Sequence, residues 1–349
     1  MKALREEVRS FRHLISSKRK RNSLTKILAL SLALVFGFLT SSPSVAGSNS
    51  GSSKENQTIP ASPKIPKEYG EVIYRSSGES SKQLYIIGLE HRDTFTRANG
   101  INTSKVQAQV YKIGEWLIQN EEVRLLLPEG FFTRKTGKAV LMKSPVEMRP
   151  NEPKPMGLSE LEKRLANNHT YVNAEMLLKE CYECYEGLRV RQVEDKRLYD
   201  AVNGALSKMA SNGCSNSSDF LSLKSELDYL QGKRVAAMLQ KIPRVIAEEF
   251  HHQNINNNKA IFTIGLNHLS EIIKFLNNSK IEIHSPLLSS NKNEDYSADL
   301  NLLKDRFGIT VIVPKKLADN DQILKVCRLD KIVGECRNQP SPSSPPKSP

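Results

Sequence analysis

Gln83–Asp93 reads QLYIIGLEHRD, and its composition changes abruptly from apolar to charged. The apolar run Leu84–Ile87 is typical of a short buried strand, and it stops at a glycine that is followed three residues later by His91. The pattern returns far downstream, where AIFTI (260–264) precedes GLNH (265–268). Each Gly-x-x-His motif predicts a buried strand, a tight glycine turn and a histidine beyond the strand end.

A third apolar run, Val123–Leu127, ends at Pro128-Glu129-Gly130. In an open α/β sheet, ligands bind in the crevice beyond the carboxyl ends of the strands. If the three runs are strands of one such sheet, we expect His91, Glu129 and His268 to meet at its edge. One site would then be built from distant parts of the chain.

The patterns between these runs favour an α/β domain over residues 68–336. We predict a mixed or mostly parallel sheet flanked by helices, with an extra helical segment. The first helix should begin with a capping box at Ser104 and Gln107 and complete a right-handed βαβ unit. Further strands are predicted at Glu71–Tyr74, Leu188–Val193, Ile281–His284 and Ile309–Val313, and further helices from Ser159, over Asn173–Gly187, up to about Ala210, over Phe220–Phe250 and over Leu269–Leu276.

The N-terminus has the pattern of a signal peptide over residues 1–46. Basic residues precede the apolar stretch Ile27–Leu39, and Ser44-Val45-Ala46 provides a small-x-small cleavage site. The apolar stretch is shorter than the roughly 20 residues that span a bilayer. We therefore expect export, to the periplasm or as a secreted protein. An uncleaved anchor in the inner membrane is the alternative, because the basic region is unusually long.

Three other segments are expected to be irregular. Residues 47–67 are rich in Ser, Asn, Lys and Pro and predict a disordered linker, and the Ser/Pro-rich residues 337–349 predict a disordered tail. Residues 131–157 hold four prolines among basic residues. Because this long irregular stretch leaves directly from Glu129, we interpret it as a flap over the site, with a mobile surface loop as the alternative.

The formal net charge of +13 comes largely from the signal segment. Residues 1–26 carry nine Lys/Arg and two Asp/Glu, so their removal takes away seven positive charges and leaves six. The remaining basic residues are scattered, without an aromatic-interleaved basic patch or a nucleic-acid motif. We expect no nucleic-acid partner, and membrane contact only through the N-terminal segment.

Export would place the five cysteines in an oxidising compartment, where some should form disulfides. Cys327 and Cys336 would close a short C-terminal loop, and Cys214 would pair with Cys181 or Cys184. The Cys-x-x-Cys spacing of the last two lies in a helical pattern without a second pair. A disulfide or core role is therefore favoured over redox or zinc chemistry.

Two neutral imidazoles and one carboxylate form a recurrent ligand set for a divalent metal with open coordination positions. His91, His268 and Glu129 supply that set, and such an ion lowers the pKa of bound water and polarises a carbonyl oxygen. Glu90 is a further candidate ligand or general base, and Asp93 a candidate hydrogen-bond partner of an imidazole. A single Gly-x-x-His motif is a weak signal, and Glu90 fits a solvated loop carboxylate equally well.

Three more charged residues are candidates from their positions. Glu194 and Asp195 follow a predicted strand, so they would either join the pocket or cap the next helix. Arg234 would bind a substrate carboxylate or stabilise developing negative charge, or it would lie on the surface of a highly charged helix.

The order of Gly88–His91, Glu129, Arg234 and Gly265–His268 resembles the TraB/GumN/Tiki superfamily. The wider clan includes ChaN-like haem-binding proteins and erythromycin esterases. The segment FTIGLNHLSEIIKFL (262–276) is the most similar, since its strand, Gly-x-x-His and helix match the closing motif of the family.

The resemblance spans about residues 83–277, at scattered positions. Leu89 stands where the family has a small residue after the first glycine. Glu90 precedes the histidine, which is similar to the Gly-Glu-x-x-His opening of the ChaN and esterase branches but shifted in register.

The resemblance implies an EreA/ChaN-like fold and a Tiki-like metal-dependent hydrolase, most similar to a peptidase, that acts on a peptide or small molecule. It also implies that His91, His268 and Glu129 bind or serve a divalent metal such as manganese or cobalt. From the residues themselves, zinc is a further candidate ion, and Glu129, Glu90 and Arg234 are the catalytic candidates. The alternative on the same scaffold is a non-enzymatic protein that binds haem, a metal ion or a peptide. A surface interaction protein that keeps the motifs only for structure is a third possibility.

Overall fold

A computed structural model describes residues 64–91, 99–100, 102–132, 156–166, 173–212, 217–278, 280–286 and 295–338. Several predictions from the sequence lie outside these residues. They are the signal peptide, most of the linker, Asp93, Cys214, positions 133–155 of the proposed flap, and the tail from 339 onward.

The described strands form one six-stranded sheet and one two-stranded sheet. Within the large sheet the order is β1-β8-β2-β5-β3-β4, and every neighbouring pair is parallel except β1 with β8. β6 and β7 form the separate antiparallel pair. The strands are β1 (Gly70–Arg75), β2 (Glu79–Leu89), β3 (Leu125–Pro128), β4 (Arg189–Val190), β5 (Asn258–Gly265), β6 (Lys280–Ile283), β7 (Tyr296–Asp299) and β8 (Phe307–Pro314).

The central strands are the most apolar parts of the sequence, because helices cover both faces of a parallel sheet. β8 is buried along its whole length, β5 is buried from Ala260 onward, and β2 is buried from Leu84 onward. The predicted α/β class with a mostly parallel sheet is therefore confirmed.

Helices connect and flank the strands. They are α1 (Thr103–Asn120), α2 (Leu158–Ala166), α3 (Ala174–Tyr182), α4 (Lys196–Asn212), α5 (Ser217–His251), α6 (Leu269–Asn277), α7 (Asn301–Lys304), α8 (Lys315–Ala318), α9 (Asp321–Val326) and α10 (Asp330–Asn338), with a 3-10 turn at Leu266–His268. α4 and α5 share a small apolar cluster of their own, apart from the main core. This pair is the predicted extra helical segment.

The predicted capping box of α1 is wrong. The helix begins at Thr103, after Asn102, and no side-chain cap bond forms there. Gln107 instead donates from Nε2 to the carbonyl oxygen of Glu90 (2.9 Å) and accepts at Oε1 from the N–H of Ala174 (2.8 Å). Because this side chain joins β2 to α3, it is not available to cap its own helix.

The tight turn predicted at Gly88 is also wrong. Gly88 and Leu89 remain in β2, where Leu89 pairs with Gly265 of β5. A Cβ atom on Gly88 would lie 2.6 Å from Leu269 Cδ1, so the glycine permits a close approach of α6 rather than a turn.

Other boundaries differ more modestly. The predicted strand Leu188–Val193 is reduced to the two residues of β4, and α3 ends at Tyr182, before Gly187. β2 and β3 end at the same sheet edge, as the βαβ prediction requires, but β5 lies between them. α10 includes the first two residues of the predicted tail, and one of them, Arg337, bonds the Glu71 carboxylate through Nε and a terminal nitrogen (2.8 and 2.9 Å).

The expected disulfide between Cys327 and Cys336 is not formed in the structure. All four cysteines in the described ranges are free. Cys327 Sγ donates to Asn267 Oδ1 (3.1 Å), and Cys336 Sγ donates to the carbonyl oxygen of Ile73 (2.8 Å). Both thiols are therefore engaged with other elements.

The described ranges contain no helix that combines the length and the apolar character needed to cross a bilayer.

Candidate functional site

The site lies where β2, β3 and β5 end side by side. The register pairs Pro128 with Thr263, so Glu129 leaves β3 beside the end of β5. His91 Nε2 lies 3.0 Å from Glu129 Oε2, and His268 Nε2 lies 3.7 Å from Glu129 Oε1. The structure thus brings together the two histidines and the carboxylate expected at this edge.

The backbone of β5 fixes the position of Glu129. The Glu129 N–H donates to the carbonyl oxygen of Thr263 (2.9 Å), and the Gly265 N–H donates to Glu129 Oε2 (2.6 Å). A Cβ atom on Gly265 would lie 3.4 Å from Glu129 Oε2 and from the His91 ring. The second motif glycine therefore supplies a hydrogen-bond donor at the point where the two side chains crowd the backbone.

Arg234, on α5, is the cation of the site. It donates to both oxygens of Glu194, from Nε (2.9 Å) and from a terminal nitrogen (2.5 Å), and the same terminal nitrogen lies 2.8 Å from Glu129 Oε1. All three side chains are nearly inaccessible to solvent. Because the hydrogen bonds and ion pairs described for Arg234 go to these two carboxylates, we interpret it as holding Glu129 rather than as binding substrate.

Glu194 and Asp195 are adjacent in sequence but have different roles. Glu194 is 1% exposed and also accepts from the Gly130 N–H (3.2 Å). Asp195 is exposed, and its Oδ1 accepts from the N–H groups of Arg197 and Leu198 (2.8 and 3.2 Å). The sequence left two roles open for this pair, and the structure divides them: Glu194 joins the site, whereas Asp195 caps α4.

The charges around Glu129 favour its ionised form. Burial would raise the pKa of this carboxyl, but the hydrogen bond and charge of His91, together with the charges of His268 and Arg234, hold the pKa well below its ordinary value. The pKa of Arg234 is raised: burial lowers it, and the bonds and charges of Glu194 and Glu129 outweigh that effect. Ionised Glu129 and protonated Arg234 thus form an ion pair at the centre of the site.

The pKa values of the two histidines are shifted in opposite directions. The side chain of His91 is 48% exposed but its Nε2 faces Glu129. Burial lowers the His91 pKa, and the hydrogen bond and charge of Glu129 outweigh this and raise it. His268 is 12% exposed. Burial lowers the His268 pKa, and the charges of Arg234 and His91 add to this against the opposing charge of Glu129.

Glu175, on α3, was not predicted from the sequence. It is 4% exposed, and its pKa is raised, first by burial and then by the charge of Glu129, although the Thr263 hydroxyl and His91 oppose this. Glu175 Oε2 and Thr263 Oγ1 are both buried without a well-aligned hydrogen-bond partner. The available signal was a glutamate beside an apolar run, AEMLL, which places a carboxyl on the buried face of a helix.

Glu90, predicted as a ligand or general base, contacts α1 instead. Its Oε1 accepts from Thr103 Oγ1 (2.8 Å), and its carbonyl oxygen accepts from Gln107. These bonds attach the end of β2 to the start of the helix. A structural role therefore accounts for Glu90.

The donor types suit a divalent metal, since neutral imidazoles and carboxylates are its common protein ligands. His91, His268 and Glu129 would hold the ion, and both Nε2 atoms already face the same carboxylate. Across the described ranges, however, no group of three or more His, Cys, Asp and Glu side chains could hold a metal ion. Arg234 and Gly265 already bond the Glu129 oxygens, so the ligands would have to rearrange, and metal binding stays a prediction.

Two described cavities lie away from these residues. The larger, of about 710 Å³, lies at the amino ends of the strands, and its lining includes Arg124, Phe250 and His251. The smaller, of about 200 Å³, lies against α1 and is lined by Gln109 and Lys316, among others. The site at the carboxyl ends of the strands is therefore defined by its side chains and not by a cavity.

Comparisons with protein-family models, with curated proteins and with solved structures gave no match, so the resemblance to the TraB/GumN/Tiki superfamily stays a prediction.

Proposed function

We propose that the protein is an exported hydrolase of the TraB/GumN/Tiki type on an EreA/ChaN-like scaffold, with a peptide as substrate. One observation carries the proposal: two imidazoles converge on a buried, arginine-bound carboxylate at the carboxyl edge of a parallel sheet. Nothing in the packing of a sheet requires such a cluster. Functional groups of α/β proteins collect at this edge.

The chain's own residues supply two kinds of chemistry there. Glu129 is ionised and fixed, so it provides negative charge at a constant place between the imidazoles. His268 has a lowered pKa and is therefore neutral near pH 7, with a lone pair on Nε2 that can accept a proton or bind a cation. Hydrolysis requires a group that takes a proton from the attacking water, and neutral His268 is that acceptor, because the lowered pKa of Glu129 makes its carboxylate a weak base.

A divalent ion, if bound by His91, His268 and Glu129, would lower the pKa of its bound water and polarise the scissile carbonyl. Arg234 would keep Glu129 ionised and oriented whether or not the ion is present. We therefore describe Arg234 as a positioning residue.

The test combines metal binding with hydrolysis. The purified chain is assayed for metal content and for thermal shift with manganese, cobalt and zinc, and then for cleavage of a peptide library. We expect metal-dependent cleavage that is lost in the double variant His91→Ala/His268→Ala. The matched control is His251→Ala/His252→Ala, which removes two exposed histidines at the far end of α5.

Cleavage that survives loss of both site histidines would contradict the proposal. Metal binding without cleavage would favour the second candidate, a non-enzymatic protein that binds haem, a metal ion or a peptide. The observation in favour of that candidate is that the oxygens of Glu129 are already bonded within the protein.

A further inference from the structure

Two aromatic rings form a wall beside the proposed site. Phe132 lies three residues after Glu129, and Tyr199 lies on α4. Their ring centroids are 5.0 Å apart with an interplanar angle of 72°, the edge-to-face arrangement that aromatic pairs favour. Both side chains are only partly buried.

The two rings contact residues that hold or adjoin Glu129. The Arg234 guanidinium lies over the Tyr199 ring, with Cζ 5.2 Å from the ring centroid. A Cβ atom on Gly130 would lie 3.8 Å from Tyr199 Cε2. Arg234 bonds Glu129, and Gly130 directly follows Glu129, so the rings border the site through two independent connections.

Phe131 is buried with 4% exposure, whereas its neighbour Phe132 stays partly exposed. Sites for small molecules and peptides are lined mainly by apolar and aromatic side chains with a few polar groups among them, and the two rings beside the charged cluster have this composition. Lys196 Nζ lies 5.6 Å from the Phe132 ring centroid and also pairs with Asp200. Each ring thus has a cation over one of its faces, Lys196 over Phe132 and Arg234 over Tyr199, so the apolar surface of the pair lies among charged groups.

We infer that Phe132 and Tyr199 form a subsite that binds an aromatic or flat apolar group of the substrate, next to the bond that is broken. This inference rests on the proposed function for the location of the reacting bond. For a peptide substrate, the subsite selects residues with an aromatic side chain near the scissile bond. The aromatic subsite would determine which substrates bind, whereas Glu129 and the histidines would carry out the cleavage.

The experiment uses the full chain and two peptide pools that differ only in Phe or Ala at a randomised position. Binding is measured by fluorescence anisotropy, and cleavage by mass spectrometry of the products. Wild-type protein should prefer the Phe pool by between about 2- and 10-fold, the range that one aromatic contact provides. Phe132→Leu and Tyr199→Leu should each reduce this preference, and Tyr199→Phe, which keeps the ring, should retain it.

Phe250→Leu is the matched control, since Phe250 is an exposed aromatic residue at the opposite strand edge and should leave the preference unchanged. Thermal melting of each variant identifies loss of folding, and Phe132→Leu provides a test that leaves the Tyr199–Arg234 contact in place. Binding preference without cleavage supports the subsite and contradicts the hydrolase. Cleavage or binding that is equal for both pools, or a preference that survives both leucine variants, overturns the subsite.

Discussion

Gly88–His91 and Gly265–His268 share a sequence pattern and lie on adjacent parallel strands, yet their residues do different things. In the first motif the glycine is inside a strand and makes room for Leu269, while the histidine is half exposed and has a raised pKa. In the second motif the glycine ends the strand and donates its N–H to Glu129, while the histidine is largely buried and has a lowered pKa.

The role of each glycine and histidine depends on where it lies relative to Glu129. The Gly265 N–H and the His91 ring both bond Glu129 Oε2, so a backbone group of the second motif and a side chain of the first share one acceptor. His268 lies farther from the carboxylate, and burial lowers its pKa more than the charge of Glu129 raises it, with a smaller lowering from the charges of Arg234 and His91. The four predictions below test this division.

The largest effect is expected from Arg234→Leu, because both motifs depend on the carboxylate that this residue holds. Removing the cation leaves the buried carboxylates of Glu129 and Glu194 without their arginine, and breaking a buried ion pair costs about 3–5 kcal/mol in the free energy of unfolding. Urea denaturation measures the loss. Arg244→Leu, which removes an 82% exposed arginine from the same helix, should change stability by less than about 0.5 kcal/mol.

Alanine substitutions at the two glycines test the comparison directly. Gly88→Ala places a methyl group 2.6 Å from Leu269 Cδ1 in the core and should destabilise the protein by about 1–3 kcal/mol. Gly265→Ala meets atoms only at 3.4 Å and should cost less than about 1 kcal/mol. Equal losses in thermal and urea unfolding would show that the two glycines have the same role after all.

Glu271, one turn beyond His268 on α6, distinguishes the second motif in another way. Burial raises its pKa to about 7, the charge of Asp228 adds to this, and Lys274 and Arg328 oppose it. A Cβ atom on Gly232 would lie 2.9 Å from its Oε1, so α5 packs closely on the carboxyl.

The folded protein therefore binds the Glu271 proton more tightly than the unfolded chain does. Stability should fall as the pH rises from about 4.5 through about 7, by about 1–2 kcal/mol. Glu271→Gln should flatten this part of the profile, measured by urea unfolding at pH 5 and pH 8. Glu248→Gln is the control of opposite sign: the Arg244 bond lowers the Glu248 pKa, so any contribution of Glu248 is lost as the pH falls.

The smallest expected effect concerns only the pKa values of His91 and His268. In metal-free protein, imidazole NMR titration should give a His91 pKa above that of His268. Glu129→Gln should lower both values, and His91 should respond more, because it loses a direct hydrogen bond as well as a charge. A His91 pKa that does not respond to Glu129→Gln would refute the account of the first motif.

The sequence predicted the meeting of the two histidines with Glu129 because strand ends in a parallel sheet share one edge. It did not predict that Gly88 stays within a strand, since the pairing of Leu89 with Gly265 depends on a strand far away in the chain. The capping box failed for a similar reason: Gln107 bonds β2 and α3, which no local pattern reveals.

The partners of Arg234 show the same limit. Its helix carries many charges, so a buried and a surface position of Arg234 were equally compatible with the local pattern. Burial follows from the packing of α5 against the sheet, which places Glu194 and Glu129 within reach. Glu175 was missed because a carboxyl on an apolar helix face is recognised only once the face is known to be covered.

The strand order also determines when the site can exist. Leu84 of β2 pairs with Ala260 on one side and with Ile309 on the other, so the strand that leads to His91 is synthesised early and finds both neighbours late. Such non-local pairing slows folding, because long loops must close before the contacts form. A chain that has not yet formed β5 and β8 therefore carries the first motif without its partner strands, and the site at this end of the sheet forms only after both strands have paired with β2.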